Sequence, residues 1–205
     1  MVRHGSLIKL KPDWEERYII LHQHVFSEVL IRIRKSNIRN YSIYLRQGIL
    51  FSYYEYIGND LEQDMAQMAE DPVTQDWWKL TDPMQTPLES RKEGEWWALM
   101  DEVFHQSKKN VPDERKRRIA LNSELSDYSV NQVIDFIKTA YPKQKETSNL
   151  KDIQSFSVFR KDNCFYSYLE FSDKDSRVET PKITECLNKE SKLNWRVMKE
   201  VFHTD

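Results

Sequence analysis

At 205 residues, with 39% hydrophobic and 31% charged side chains, the chain is long enough for one large globular domain or two small ones. A formal net charge of −2 offers no electrostatic case for nucleic acid or an anionic membrane surface. No apolar run approaches the roughly 20 residues of a membrane span. The start, Met1 to Gly5, lacks a signal-peptide core.

The first helix is expected over Asp13 to Lys35. Pro12 precedes it, and Asp13 with Glu16 forms a capping-box-like start. Tyr18, Leu21, His22, Val25, Phe26, Val29 and Ile33 recur at three- and four-residue steps, making one apolar stripe. Tyr18 and His22 share a face, so both can reach one ligand, whereas His24 should point elsewhere. The helix must end near Ser36-Asn37, because Asn40 to Leu45 reads as a strand with Tyr41 at its beginning. Ile49 to Tyr56 is the second strand of a hairpin across the short turn Arg46-Gln47-Gly48. Asp60 to Asp71 is an acidic, solvated helix face. Trp77-Trp78 follows, and adjacent residues of regular structure cannot both face one core.

An internal repeat organises the remainder. The run from Trp97 through Glu102-Val103-Phe104-His105 recurs as Trp195 through Glu200-Val201-Phe202-His203. Tyr41-Ser42-Ile43-Tyr44 recurs as Phe156-Ser157-Val158-Phe159, and Phe51 to Tyr56 as Tyr166 to Phe171. A helix cap at Ser129 and Gln132 parallels that at Asp13 and Glu16. Each half therefore reads strand, helix, hairpin, helix, strand. The fold class is α+β, with tandem ferredoxin-like domains of the dimeric α+β barrel type and antiparallel sheets. The expected division is a first domain over 1–106, a linker over 107–118 and a degenerate second copy over 119–205. The basic run Arg115 to Arg118 is a solvated linker entering an edge strand. In the second copy the place of His22 falls near Ile137 or Lys138, that of Tyr18 near Val133 or Ile134, and no tryptophan pair occurs. His105 and His203 recur in both halves, which favours a structural role.

An imidazole, phenols and flat indoles are groups that hold a sugar and move its protons. In its first half the chain resembles the L-rhamnose mutarotase family. The resemblance runs from about Arg3 to Phe104, through Tyr18 and His22, Asn40-Tyr41, Ile43-Tyr44-Leu45, Trp77-Trp78-Lys79 and Glu102-Val103-Phe104. It departs at His24, where the family often has proline, and in the charged approach Glu89 to Glu95. The resemblance implies that His22 is the catalytic proton donor and that Tyr18, Tyr41, Trp77 and Trp78 bind the sugar.

The implied activity is an aldose mutarotase that interconverts the α and β anomers of a 6-deoxyhexose, L-rhamnose first, by general acid–base ring opening. L-Fucose is the alternative sugar, and a non-catalytic sugar-binding module the alternative class. A small α+β barrel monooxygenase-like protein shares the fold but predicts a quinone or polyaromatic substrate. The reaction requires no metal and no cofactor, and its partner is a monosaccharide. The resembled proteins look like homodimers, so a tandem chain is expected to be a monomeric pseudo-dimer, or itself a homodimer. Cys164 and Cys186 lack metal-ligand spacing and read as free thiols of a cytoplasmic protein.

Overall fold

The structure is a computed structural model that describes residues 1–108, 116–125, 130–145, 150, 153–172, 176–191 and 193–205. Two compact units make up the chain. Unit 1 is Met1–Met100 with Lys199–Asp205, and unit 2 is Asp101–Met198.

Unit 1 begins with β1 (Val2–Leu10), a 3-10 turn at Pro12–Trp14, α1 (Glu15–His22) and α2 (Ser27–Lys35). The hairpin β2 (Ile38–Arg46) and β3 (Ile49–Tyr56) follows, then α3 (Leu61–Glu70) and α4 (Pro72–Thr81). The short strands β4 (Gln85–Thr86) and β5 (Ala98–Leu99) pair with β1. The hairpin closes as its sequence demands: Arg46 pairs with Ile49, and Gln47 and Gly48 between them both have positive φ, 49° and 72°. That is the backbone of the turn whose twist matches paired strands.

The single helix expected over Asp13 to Lys35 is instead two. The break falls at His24. Its ring Nδ1 lies 3.1 Å from the Ile20 carbonyl, the partner its own backbone N–H would take in a continuing helix. That N–H bonds Leu21 instead, at 2.9 Å, tightening the last turn. Phe26 is then extended (ψ 133°) and 38% exposed, so it leaves the apolar stripe. Asp13 is not a side-chain cap either; it lies within the 3-10 turn that Pro12 opens. The cap expected at Ser129 lies outside the described residues, as does 109–115 of the expected linker. Asp60 to Asp71 behaves as read, since α3 buries none of its residues.

Unit 2 contains β6 (Asp101–Ser107), β7 (Lys116–Glu124), α5 (Val130–Lys145), the hairpin β8 (Ile153–Lys161) and β9 (Cys164–Ser172), α6 (Ser176–Ser191) and β10 (Arg196–Val197). The last strand, β11 (Lys199–Thr204), belongs to unit 1. The sheet of unit 1 runs β11-β2-β3-β1-β4, and that of unit 2 runs β10-β7-β9-β8-β6.

The units are therefore not cut where the repeat is cut. The strand that ends the first copy edges the sheet of unit 2, and the strand that ends the second edges the sheet of unit 1. The run from Trp97 to His105 divides accordingly, Ala98–Leu99 to one sheet and Asp101–Ser107 to the other.

The two sheets share one register. Ser42 opposes Tyr53 and His203 in unit 1; Ser157 opposes Tyr168 and His105 in unit 2. Both histidines bond the facing serine hydroxyl through Nδ1 at 2.9 Å. Their recurrence reflects this shared structural bond between neighbouring strands.

Candidate active site

Unit 1 encloses a cavity of about 550 Å³ between its sheet and its helices. Tyr18 and His22 enter from α1, Tyr41 from β2, and Trp77 and Trp78 from α4, so every residue singled out in the sequence lines one space. Tyr41 reaches it because the β2–β3 ladder slips between Arg39 and Ser42, beside Asn40 with its positive φ of 49°. A bulge of this kind re-aims the side chain it carries.

His22 sits at the inner end, 8% exposed. Its ring stacks on Tyr18 (centroids 4.0 Å apart) and meets the edges of Trp77 (5.2 Å) and Phe202 (5.9 Å). Its Nδ1 lies 2.9 Å from the Tyr18 carbonyl, which can only accept, so Nδ1 carries the hydrogen and Nε2 the lone pair. Burial lowers its pKa from 6.5 to about 4, against the weaker opposing pull of that backbone bond. At neutral pH the imidazole is uncharged, with its basic nitrogen left for the cavity.

The Tyr18 phenol is fixed from the other side. Trp96 Nε1–H donates to Gln85 Oε1 at 3.0 Å, and Gln85 Nε2–H donates to the Tyr18 oxygen at 3.2 Å. An indole nitrogen can only donate, so the amide has one orientation and the Tyr18 oxygen serves it as acceptor. The phenol hydrogen is thereby left to donate elsewhere. Burial, with Tyr41 nearby, raises the Tyr18 pKa well above its ordinary value, so it stays protonated. Tyr41, bonded to Ser52, is pushed up to about 12 by burial. Burial also raises the Asp82 carboxyl, which lies at the cavity wall next to Gln85 and Trp96.

The remaining walls are divided in character. Ile33, Ile38, Ile43, Met65 and Met68 are apolar, while Ser6, Ser52, Tyr54 and Thr81 bring hydroxyls. Hydroxyl groups and indole faces beside an apolar wall suit a ligand polar on some edges and greasy on one.

A family model described as L-rhamnose mutarotase matches residues 3–106, half of the chain. The chain belongs to the L-rhamnose mutarotase family. A protein named L-rhamnose mutarotase from Oceanobacillus iheyensis is 31% identical over 86 residues, covering 41% of this chain and 80% of the relative. One of the same name from Lactiplantibacillus plantarum is 30% identical over 107 residues, covering 51% of this chain and 98% of the relative.

Among solved structures, a candidate monooxygenase from Lactobacillus acidophilus NCFM matches with a TM-score of 0.55 at 8% identity, covering 100% of this chain and 96% of the other. A second, from Fusobacterium nucleatum, gives 0.52 at 11% identity, covering 99% and 93%. At such identities these likenesses speak for the fold alone. They support the expected tandem α+β class and leave the mutarotase family to the sequence matches.

Gln85, Trp96, Tyr54 and Asp82 also line the cavity and are not singled out by the sequence analysis. For two of them a signal was present. Trp97 recurs as Trp195, yet Trp96 has Asn194 in its place; Tyr53 recurs as Tyr168, yet Tyr54 has Leu169. The asymmetry that singled out His22 marks both. Gln85 and Asp82 carry no such mark.

Proposed function

We propose that the chain is an aldose mutarotase that interconverts the anomers of L-rhamnose in the cavity of unit 1. The carrying observation is a buried, neutral His22 with Nε2 directed to the cavity, stacked on a Tyr18 whose hydroxyl is left to donate.

In this reading Nε2 of His22 takes the proton of the anomeric hydroxyl as the C1–O5 bond breaks. The Tyr18 hydroxyl gives its proton to the ring oxygen, which leaves as the C5 hydroxyl, and takes it back when O5 closes on C1. The open aldehyde turns about C1–C2, O5 closes on the other face of C1, and His22 returns the proton to O1. No atom or electron is gained or lost. The donor role that the family resemblance assigns to His22 becomes the closing half of this cycle, and its low basicity makes accepting the proton the opening half. Trp77 and Trp78 supply indole faces for the sugar's C–H surface, and Tyr41 a hydroxyl for one of its own.

The isoleucine and methionine wall favours a methyl at C5. A C6 hydroxyl buried there without a partner would cost roughly 1–3 kcal/mol. That supports a 6-deoxyhexose over glucose, with L-fucose as the second choice because it differs from rhamnose only in the stereochemistry of its hydroxyls. We take unit 2 to be a degenerate copy acting as scaffold, and the chain to act as a monomeric pseudo-dimer. Phe202 of β11 completes the wall behind His22 within unit 1, so the site has no need of a second chain. Cys164 and Cys186 are unpaired thiols, and among the described residues no helix is long and apolar enough to cross a membrane. Both fit a cytoplasmic enzyme.

The test is NMR exchange between anomers for L-rhamnose, L-fucose and D-glucose, with and without protein. Faster exchange for rhamnose is expected. Acceleration of fucose alone would change the substrate, and acceleration of none would leave only a sugar-binding role.

A further inference from the structure

We propose that the groove outside the cavity mouth is a second sugar subsite, so that the enzyme also takes reducing oligosaccharides ending in a 6-deoxyhexose. This rests on the mutarotase reading of the cavity.

The direction of the bound sugar follows from where the chemistry must happen. Ring opening occurs at C1, and the group that moves its proton, His22, is only 8% exposed, with Trp77 beside it at 6%. C1 therefore points inward. C4 lies opposite C1 across a pyranose ring and points toward the exposed end of the cavity, where Trp96 is 45% exposed and Leu99 49%. A substituent on O4 has its way out there.

It would emerge over a shallow, solvent-open groove. This shallow groove shares Trp78, Asp82, Gln85 and Trp96 with the cavity. It adds Lys11, Gln75 and Lys79, which the cavity does not touch. Trp96 is the hinge between the two spaces. Its N–H edge is pinned to Gln85 at 3.0 Å, so its ring is held in place while nearly half exposed. A fixed, exposed indole is a stacking surface that costs little ordering when a second pyranose settles on it.

The lysines give the groove its polar rim. Lys11 donates to the Pro83 carbonyl at 2.7 Å and Lys79 to Asp76 at 2.7 Å, so both ammonium groups are positioned. Each has three hydrogens, and those not used in these bonds can meet hydroxyls. The Asp82 carboxyl stands at the junction, where the glycosidic linkage and its flanking hydroxyls would pass. Nothing comparable is expected around Trp195, because the residue before it is Asn194.

The experiment compares anomer exchange by NMR for free L-rhamnose and for a hexopyranosyl-(1→4)-L-rhamnose, with the full-length protein. Both sugars should be accelerated, and the disaccharide should half-saturate at about tenfold lower concentration, the value of one good aromatic contact. Gln75→Trp, at an exposed position that lines the groove and not the cavity, fills the groove and should remove the disaccharide's advantage while leaving rhamnose exchange unchanged. Acceleration of rhamnose without the disaccharide would overturn the subsite and spare the mutarotase. Disaccharide exchange indifferent to both Gln75→Trp and Lys79→Ala would overturn it as well, placing the second ring in solvent. Acceleration of neither sugar would remove the mutarotase reading, and the subsite with it.

Discussion

The two units use one sheet register to different ends: unit 1 holds a cavity behind its sheet, and the described residues of unit 2 pack a hydrophobic core there. Equivalent positions can be read from the pairing. Ser6 and Ser52 face each other in unit 1, where Leu121 faces Ser167 in unit 2. Tyr41 and Ile43 flank Ser42, as Phe156 and Val158 flank Ser157. Tyr54 corresponds to Leu169. Within α5, Val133 and Ile137 are four apart and both 3% exposed, in the core with Leu121, Phe156, Val158 and Leu169. They stand where the repeat puts Tyr18 and His22. The same frame thus supports a cavity where its inward positions carry hydroxyls and an imidazole, and an apolar core where they carry aliphatic and phenyl side chains. A few side chains, and not the fold, separate a cavity from a packed core.

The largest expected effect comes from making unit 1 resemble unit 2. His22→Ile should lower catalysed exchange by about 10²–10⁴, the usual contribution of one acid–base group, while rhamnose still binds. Rates by NMR and binding by tryptophan fluorescence on the same sample would check it. Unchanged exchange would take His22 out of the reaction.

Truncation should separate the units by stability. Leu169→Ala, fully buried in unit 2, is expected to cost about 2–5 kcal/mol in urea unfolding. Tyr54→Leu, at a cavity wall, should stay within about 1 kcal/mol and instead raise the sugar concentration needed for half-saturation. Equal losses would mean that unit 1 is as tightly filled as unit 2.

Tyr18→Phe keeps the stacked ring and deletes the donor. It should reduce exchange by on the order of 10², with rhamnose binding nearly unchanged, since a donor aimed at developing charge acts in the transition state. An equal fall in binding would make Tyr18 a simple sugar contact.

On exchange near neutrality, pH has the smallest effect. With the His22 pKa lowered to about 4, exchange should be flat from pH 7 to 5 and fall only near pH 4, as Nε2 takes a proton. The same shift bears on stability. Its folded pKa lies below the unfolded value of ~6.5, so the unfolded chain binds the extra proton first. Stability is complete above that value and is lost as pH falls toward 4, by up to about 3 kcal/mol from this group. His22→Ile should erase that component. A midpoint for exchange near 6.5 would mean an imidazole open to water.

Much of this was legible before the structure, and the rest was hidden for physical reasons. The hairpin could be read because Gln47-Gly48 must adopt positive φ between two alternating strands. Tyr18 and His22 could be placed together because they lie one turn apart on a helix. The break after His22 was not readable, since the apolar stripe runs on through Val25, Phe26 and Val29 without a proline or glycine to mark it. Strand exchange was hidden because Glu-Val-Phe-His ends both copies, and identical strands do not say which sheet each will join. Gln85 was invisible because its importance lies in two hydrogen bonds, to Trp96 and to Tyr18, that join residues distant in sequence.

The contrast between the units is tested most directly by the indole N–H signals in ¹H–¹⁵N NMR during a titration with L-rhamnose. Six tryptophans report, and Trp195 is the one in unit 2. Trp77, Trp78 and Trp96 should shift together along one binding curve, while Trp195, 1% exposed in its core, and Trp14, outside the cavity, stay still. A Trp195 signal that moves while Trp77 and Trp78 do not would put the sugar in the wrong unit and contradict the account.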